Sequence, residues 1–151
     1  MWSLLAVVIG LALLTLGLVV ASWRRPVSSL QAGRLLSCPD SPNCVCSFDS
    51  DAEHVIPPFA FDGDPSVALA RLRSTLDNWP RTRLVTAEGN YLRFEVSTPI
   101  LTFVDDVEFL LDSAARVIHV RSASRVGYSD LGANRARVEQ IRAVWMADVS
   151  G

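Results

Sequence analysis

The sequence has little histidine and none of the short motifs by which many enzymes are recognised. Its only histidines are His54 and His119, so it lacks the paired histidines of common metalloenzymes. It contains no Gly-x-Ser-x-Gly sequence and no glycine-rich phosphate loop. These absences argue against the common hydrolase, metalloprotease and nucleotide-binding classes. They leave no catalytic residue to name from a motif, and we expect no cofactor.

An excess of basic charge is also missing. The chain carries 14 basic and 16 acidic residues, a formal net charge of -2. Binding to a phosphate backbone requires a clustered surface of lysine and arginine side chains. The composition therefore predicts no nucleic-acid partner.

The beginning of the chain has no charged side chain before Arg24. As a helix, this apolar stretch would span roughly 30 Å, the thickness of the hydrocarbon core of a bilayer. Trp2 and Trp23 bracket it, where aromatic rings favour the membrane interface. The pattern predicts a single transmembrane anchor over residues 1–23, with the lipid bilayer as its partner through residues 2–22.

Two kinds of processing compete with a retained anchor. A signal peptide would be cleaved after the small residues Val19 and Ala21, but signal peptides have a charged start and a core of about 7–15 residues. Lipoprotein cleavage at Cys38 would require an apolar core much closer to that cysteine. We expect an uncleaved anchor. Arg24 and Arg25 follow it, and the positive-inside rule would then place the domain in the cytoplasm.

Three cysteines, Cys38, Cys44 and Cys46, follow the anchor in a turn-rich segment. The prolines and asparagine between the first two imply tight turns that bring those cysteines together. Three interpretations stay open from the residues alone. A Cys38–Cys44 disulfide would suit an extracytoplasmic domain, the three sulfurs with His54 would suit a soft metal ion, and plain buried thiols are also possible.

The remaining pattern predicts an α+β fold. We assign residues 24–52 to a linker that carries the cysteines and residues 53–149 to the domain. A short extended run at His54 precedes a helix capped by Asp64, four strands follow, and a last helix begins with a cap near Asn134. Short turns between consecutive strands indicate an antiparallel meander. The expected architecture is an N-terminal transmembrane helix followed by a two-layer sandwich, with a four-stranded antiparallel meander and two helices on one face.

Alternation along the strands separates two faces of the sheet. Val107, Phe109, Ile118 and Val120 are expected to lie under the helices. The other face then receives a set of charged side chains: Arg93, Glu95, Asp106, Glu108, His119 and Arg121. We interpret this face as the solvated side of a half-exposed sheet with cross-strand ion pairs. The catalytic alternative would use His119 with Asp106 and Glu108 as acid–base groups.

Three motifs carry a resemblance to a known family. They are Cys-Pro-Asp-Ser-Pro-Asn-Cys-Val at 38–45, Phe-Val-Asp-Asp-Val-Glu-Phe at 103–109, and the arginine- and serine-rich run from Arg121 to Arg135. In this order they resemble the uncharacterised bacterial and plant family called domain of unknown function (DUF) 1499, over nearly the whole chain after residue 37. Members are often lipoproteins or membrane-linked proteins outside the cytoplasm. The resemblance therefore implies an extracytoplasmic domain and favours the Cys38–Cys44 disulfide, but it implies no established activity.

The run from 121 to 135 has two interpretations. It is either a pinned loop, with Arg121 or Arg125 paired to Asp105 or Asp106, or an anion site formed by Arg125, Arg135 and the start of the last helix. The candidate ligand- or partner-binding residues are Arg121, Arg125, Tyr128, Asp130, Asn134 and Arg135.

The function expected from these observations is that of a membrane-tethered, non-catalytic accessory or binding module. Such a module would be a peripheral subunit of a larger membrane complex, with other membrane-protein subunits as partners. The alternatives are a hydrolase-type enzyme using His119 with Asp106 and Glu108, and a metal-handling protein using the three cysteines.

Overall fold

The uncharged segment folds as one long helix. In the computed structural model, which describes residues 2–147, α1 (Trp2–Ser22) is long and apolar enough by length and composition to cross a membrane. Its side chains are almost all exposed, but Val19 and Ser22 at its C-terminal end are buried against the rest of the protein. The predicted end points at residues 1 and 149 lie outside the described residues.

The elements after α1 are β1 (Leu30–Gln31), β2 (Arg34–Leu35), β3 (Cys44–Cys46), β4 (Phe59–Ala60), α2 (Pro65–Asp77), β5 (Thr82–Glu88), β6 (Tyr91–Ser97), β7 (Val104–Asp112), β8 (Val117–Ser124) and α3 (Ala133–Ala147). Strands β5 to β8 pair antiparallel in sequence order, as the short turns between them predict. The α+β class and the meander are therefore confirmed. The sheet is wider than expected, because β3 and β4 both pair with the outer side of β8.

Part of the segment that we assigned to the linker belongs to this sheet. Residues 44–46 pair with β8, and Cys46 also forms an isolated parallel bridge with Val55, where we expected a separate extended run. The hairpin of β1 and β2 packs near Tyr91 and Leu110, on the side of the sheet away from α2 and α3. Strands of two or three residues are too short to show a hydrophobic period, which is why the sequence does not reveal them.

The main core lies between the sheet and the two helices α2 and α3. Val107, Phe109, Ile118 and Val120 are all buried there, which confirms the predicted strand register. Trp145 of α3 joins the same cluster. Burial of each large apolar side chain contributes about 1.5–3 kcal/mol, so this layer fixes which face of each strand points outward.

The start of α3 differs from the prediction. The helix begins at Ala133, and the carboxylate of Asp130 accepts hydrogen bonds from the backbone N–H groups of Gly132 (2.9 Å) and Asn134 (2.7 Å). Gly132 has a φ of +81°, a conformation that few other residues adopt readily. Asp130 therefore caps the helix, and Asn134 lies inside its first turn with a buried side chain.

Candidate functional site

The charged face of the sheet is buried, whereas we expected it to be solvated. The chain that leaves α1 crosses this face over residues 22–35, and the side chains of Glu95, Asp106 and Glu108 are only 8%, 5% and 2% exposed. Buried carboxylates are tolerated when they are paired and hydrogen-bonded. Each of these three carboxylates accepts hydrogen bonds from arginine, serine or tyrosine groups.

Arg125 lies at the centre of this arrangement. Its guanidinium group donates to Asp106 at 2.7 and 2.8 Å and to Glu95 at 2.8 Å. Arg93 donates to the same Asp106 carboxylate at 2.9 and 3.0 Å, and Arg83 also contacts Glu95. The two carboxylates and three guanidinium groups form one continuous network, which we call the arginine–carboxylate network.

The network also holds the segment that follows α1. Arg125 donates to the carbonyl oxygen of Ser22 at 3.0 Å, and Arg93 donates to that of Pro26 at 3.1 Å. Arg25 donates to Glu95 at 2.9 Å. The end of the helix is fixed a second time, because the Ser22 hydroxyl accepts a hydrogen bond from the backbone N–H of Val104 at 3.2 Å.

Glu108 provides a second attachment for this segment. Its carboxylate accepts hydrogen bonds from the backbone N–H of Ser29 at 3.0 Å and from the Ser29 hydroxyl at 2.5 Å. The Tyr91 hydroxyl donates to the same carboxylate, and Arg121 lies 3.5 Å away. Burial, with the hydrogen bond to Glu108, raises the pKa of Tyr91, so it remains a proton donor.

A third buried cluster joins β7, β8 and α3. Arg137 contacts Asp105 at 2.5 Å and donates to the side-chain oxygen of Asn134 at 2.6 Å. The Asn134 amide group donates to the carbonyl oxygen of Asn43 at 2.9 Å and to the Ser124 hydroxyl at 3.0 Å. Asn134 is therefore a structural link between the cysteine segment and the sheet.

The electrostatics of the network favour the ionised forms at its centre. Burial alone would raise the pKa of Glu95, but hydrogen bonds from Arg125, Arg25 and Arg83 outweigh it and lower that pKa to about 2. The pKa of Arg125 is raised, because its bonds to Asp106 and Glu95 outweigh the opposing effect of burial. Both groups are charged throughout the physiological range.

The basic side chains of the whole chain are all arginines; it contains no lysine. Arginine has a planar group with five donors and weaker hydration than an ammonium, so it suits buried contacts with more than one acceptor. Arg125 uses three nitrogens for four such hydrogen bonds.

The predicted anion site is not assembled. Arg125 is buried in the network, whereas Arg135 donates to the carbonyl oxygens of Val55 and Glu53, both at 2.8 Å. The two arginines share no hydrogen-bond partner among the described residues. For Arg125 the pinned-loop interpretation describes the geometry, since it pairs with Asp106.

His119 is not brought together with Asp106 or Glu108. The strand register places it opposite Leu110, and its ring contacts the Ser47 hydroxyl at 3.1 Å and stacks on Phe48 at 3.9 Å. Burial lowers the pKa of His119. The acid–base group of the hydrolase interpretation therefore has no geometric basis in the described residues.

The cysteines adopt the disulfide arrangement. Cys38 and Cys44 are bonded, with their Cα atoms 5.6 Å apart, and Cys46 is free and buried. Burial raises the pKa of the Cys46 thiol, which keeps it protonated. Within residues 2–147 no group of three or more His, Cys, Asp or Glu side chains is placed to hold a metal ion.

Sequence reasoning missed the partners that lie at the end of the anchor and in the supposed linker. Ser22 and Pro26 contribute carbonyl oxygens to the arginine–carboxylate network, and Ser29 donates its backbone N–H and its hydroxyl to Glu108. No motif marks these residues. One feature of the sequence could have indicated that this face is buried. Arginines and carboxylates are balanced on neighbouring strands, and such a face can be covered by another segment without leaving an unpaired charge.

A groove opens beside the end of α1. Its volume is about 330 Å³, and its apolar lining includes Leu18, Phe103, Val126 and Leu131. Polar groups of the loop between β8 and α3 complete it, among them Asp130. The groove is thus shared between the apolar helix and the domain.

The fold and site define a class of protein: a small α+β domain whose polar sheet face is bound by the chain that connects it to an apolar helix. Within that class, residues 34–144 match the family described as "Protein of unknown function (DUF1499)", and the chain belongs to that family. No curated protein and no solved structure matches the chain.

Proposed function

We propose that this chain is a membrane-tethered, non-catalytic accessory module that holds its domain in a fixed position at the membrane surface for binding to another membrane-protein subunit. The observation that carries the proposal is the arginine–carboxylate network, which joins the end of α1 to the sheet. A flexible tether would not need hydrogen bonds from the domain to Ser22, Arg25 and Pro26.

The groove beside α1 supports the second half of the proposal. Because Leu18 belongs to α1 and Phe103 to the domain, an occupant would touch both parts at once. Leu131 in the lining is 97% exposed, and Tyr128, which lies in the chain between the lining residues Gly127 and Ser129, is 75% exposed. Exposed tyrosine beside an apolar groove is typical of the centres of protein interfaces. Among the predicted partner-binding residues, Tyr128 therefore has an exposed side chain next to the groove, whereas the Asp130 carboxylate lines the groove while it caps α3.

The experiment is purification of the full chain from its native membranes in mild detergent, with quantification of what accompanies it. We expect one membrane protein in constant ratio, lost when Leu131→Asp places a charge at the rim. The control is Val67→Asp, which introduces the same charge on the exposed face of α2, where Val67 is exposed. Equal recovery of the partner with both variants, or no constant partner, would overturn the proposal.

We further propose that the domain lies on the extracytoplasmic side. The Cys38–Cys44 disulfide supports this side, because disulfides persist in oxidising compartments. The positive-inside rule, applied to Arg24 and Arg25, favours the opposite side, so the two signals are separated by experiment. A membrane-impermeant thiol reagent applied to intact cells should label an Ala114→Cys variant; labelling only after permeabilisation would place the domain inside.

A further inference from the structure

The end of α1 is enclosed by the domain rather than separated from it. Val19 is 8% exposed and Ser22 is fully buried, whereas the preceding part of α1 is largely exposed. Val19 lies about 4.5 Å nearer the helix start than Ser22, at 1.5 Å per residue. Parts of the domain therefore flank the last turn of the apolar helix.

The connection between β6 and β7, residues 98–103, is one of these parts. Trp23 donates a hydrogen bond from its indole nitrogen to the carbonyl oxygen of Thr102 at 3.2 Å. Thr98 and Phe103, the two ends of the connection, line the groove together with Leu18. Leu18 lies about 6 Å along the helix from Ser22, towards the membrane interior if α1 spans the bilayer.

The tip of this connection is apolar and exposed. Ile100 is 89% exposed and Leu101 is 46% exposed, and residues 98–103 include no charged side chain. Because β6 ends and β7 begins here, the tip projects beyond the end of the sheet at which α1 leaves the domain. An exposed apolar tip at that level favours lipid over water.

Groups suited to the membrane interface surround the tip. Trp23 is more than half exposed, and tryptophan is enriched where the hydrocarbon meets the headgroups. Arg24 and Arg81 are both exposed, and Arg81 follows α2 at the same end of the sheet, where its side chain donates to the carbonyl oxygen of Ser97. Arginines near a bilayer surface are attracted to anionic headgroups.

We propose that residues 98–103 are embedded in the interfacial layer of the bilayer beside α1, with Arg24 and Arg81 at the level of the lipid phosphates. The domain is then partly sunk in the membrane and not carried above it on a stalk. This inference rests on the part of the proposed function in which α1 spans the membrane, but it requires no protein partner.

The test uses the full chain in protein-free vesicles of phosphatidylcholine mixed with phosphatidylglycerol. A fluorophore is attached to Ile100→Cys, or to Ala114→Cys in the exposed turn between β7 and β8 as the control. Cys46 is buried and the other two cysteines are bonded, so the label goes to the introduced residue. A label at Leu14→Cys reports separately on insertion of α1.

We expect lipid-borne nitroxide to quench the label at residue 100 severalfold more than the label at residue 114, and an aqueous quencher to show the reverse order. Replacing Arg24 and Arg81 by glutamine should lower the ratio of embedded to exposed label about fivefold per arginine in the anionic vesicles. It should change nothing in phosphatidylcholine alone.

Three results would overturn the inference. Equal quenching at residues 100 and 114, with Leu14→Cys in lipid, would show a domain outside the bilayer. Protection at residue 100 in native membranes but not in protein-free vesicles would show that a protein covers the tip. A Leu14→Cys label outside the lipid would remove the anchor itself. Failure of the proposed function, seen as equal recovery with Leu131→Asp and Val67→Asp or as the absence of a constant partner, would not affect these outcomes, because the vesicles contain no other protein. The two proposals therefore fail separately.

Discussion

Replacement of Arg125 by methionine tests whether the network holds the domain to its anchor. The Arg125 side chain is 4% exposed and makes hydrogen bonds of 2.7–3.0 Å to Asp106, Glu95 and the carbonyl oxygen of Ser22. Removal of one partner from a buried ion pair costs about 3–5 kcal/mol. Because Arg93 remains at Asp106 and two further arginines remain at Glu95, we expect the lower end, about 3 kcal/mol.

The measurement is urea denaturation of the full chain in mild detergent, followed by near-ultraviolet circular dichroism. The matched control is Arg73→Met, which removes an exposed arginine 3.5 Å from Asp77 on α2. Exposed pairs of this kind contribute at most about 1 kcal/mol. In thermal unfolding, a loss of about 3 kcal/mol corresponds to a fall in Tm of about 12 °C for a domain of this size.

The reasoning would be refuted if Arg125→Met and Arg73→Met lowered the free energy of unfolding equally. A third variant separates charge from geometry. Arg125→Lys keeps the charge but cannot reach several acceptors with a fixed planar group, so its loss should lie between those of wild type and Arg125→Met.

Three further outcomes are expected. The lowered pKa of Glu95 stabilises the folded protein fully above the ordinary pKa of 4.5, and this stabilisation should be lost as the pH falls towards about 2. The contribution is up to about 3 kcal/mol. Glu95→Gln should remove this pH dependence when the free energy of unfolding is measured in acid. A thiol reagent should label no cysteine in the folded protein, Cys46 alone after denaturation, and Cys38 and Cys44 only after reduction as well; an early second label would exclude the disulfide. Asn134→Ala should cost at least about 2 kcal/mol in urea denaturation, because it leaves several buried groups unpaired, and a loss near zero would contradict the role assigned to it.

The apolar half of the sheet could be predicted because alternation carries the information directly. Phe109 and Val120 are consecutive-strand neighbours on one face, and any one-residue slip would expose both. Such side chains are buried because they are large and apolar. The meander, its register and the disposition of α2 and α3 follow from that constraint.

The polar half could not be predicted in the same way, because its burial depends on a segment elsewhere in the chain. Glu95 and Glu108 alternate with apolar residues, as they would on a solvated strand. Only the path of residues 22–35 makes them interior groups, and that segment has no sustained period. The helix cap was misplaced for a similar reason, since Asp130 and Asn134 are both good caps and tertiary contacts decide between them.

The path of this segment also determines how freely the domain can move. A flexible chain of the length of residues 24–36 would allow a root-mean-square separation of about 20 Å between helix and domain. Here the segment is bound to the domain at Arg25, Pro26 and Ser29, so its conformational entropy is lost when the protein folds. Binding of a partner then carries no further entropy cost for ordering this segment. A partner that contacts both Leu18 and the domain would therefore meet a preformed surface.

Buried ion pairs add little net stability compared with apolar packing, but they are strongly directional. Directional ion pairs select a single orientation of the domain on its anchor. An apolar interface would be compatible with several orientations, so a charged interface suits this junction better.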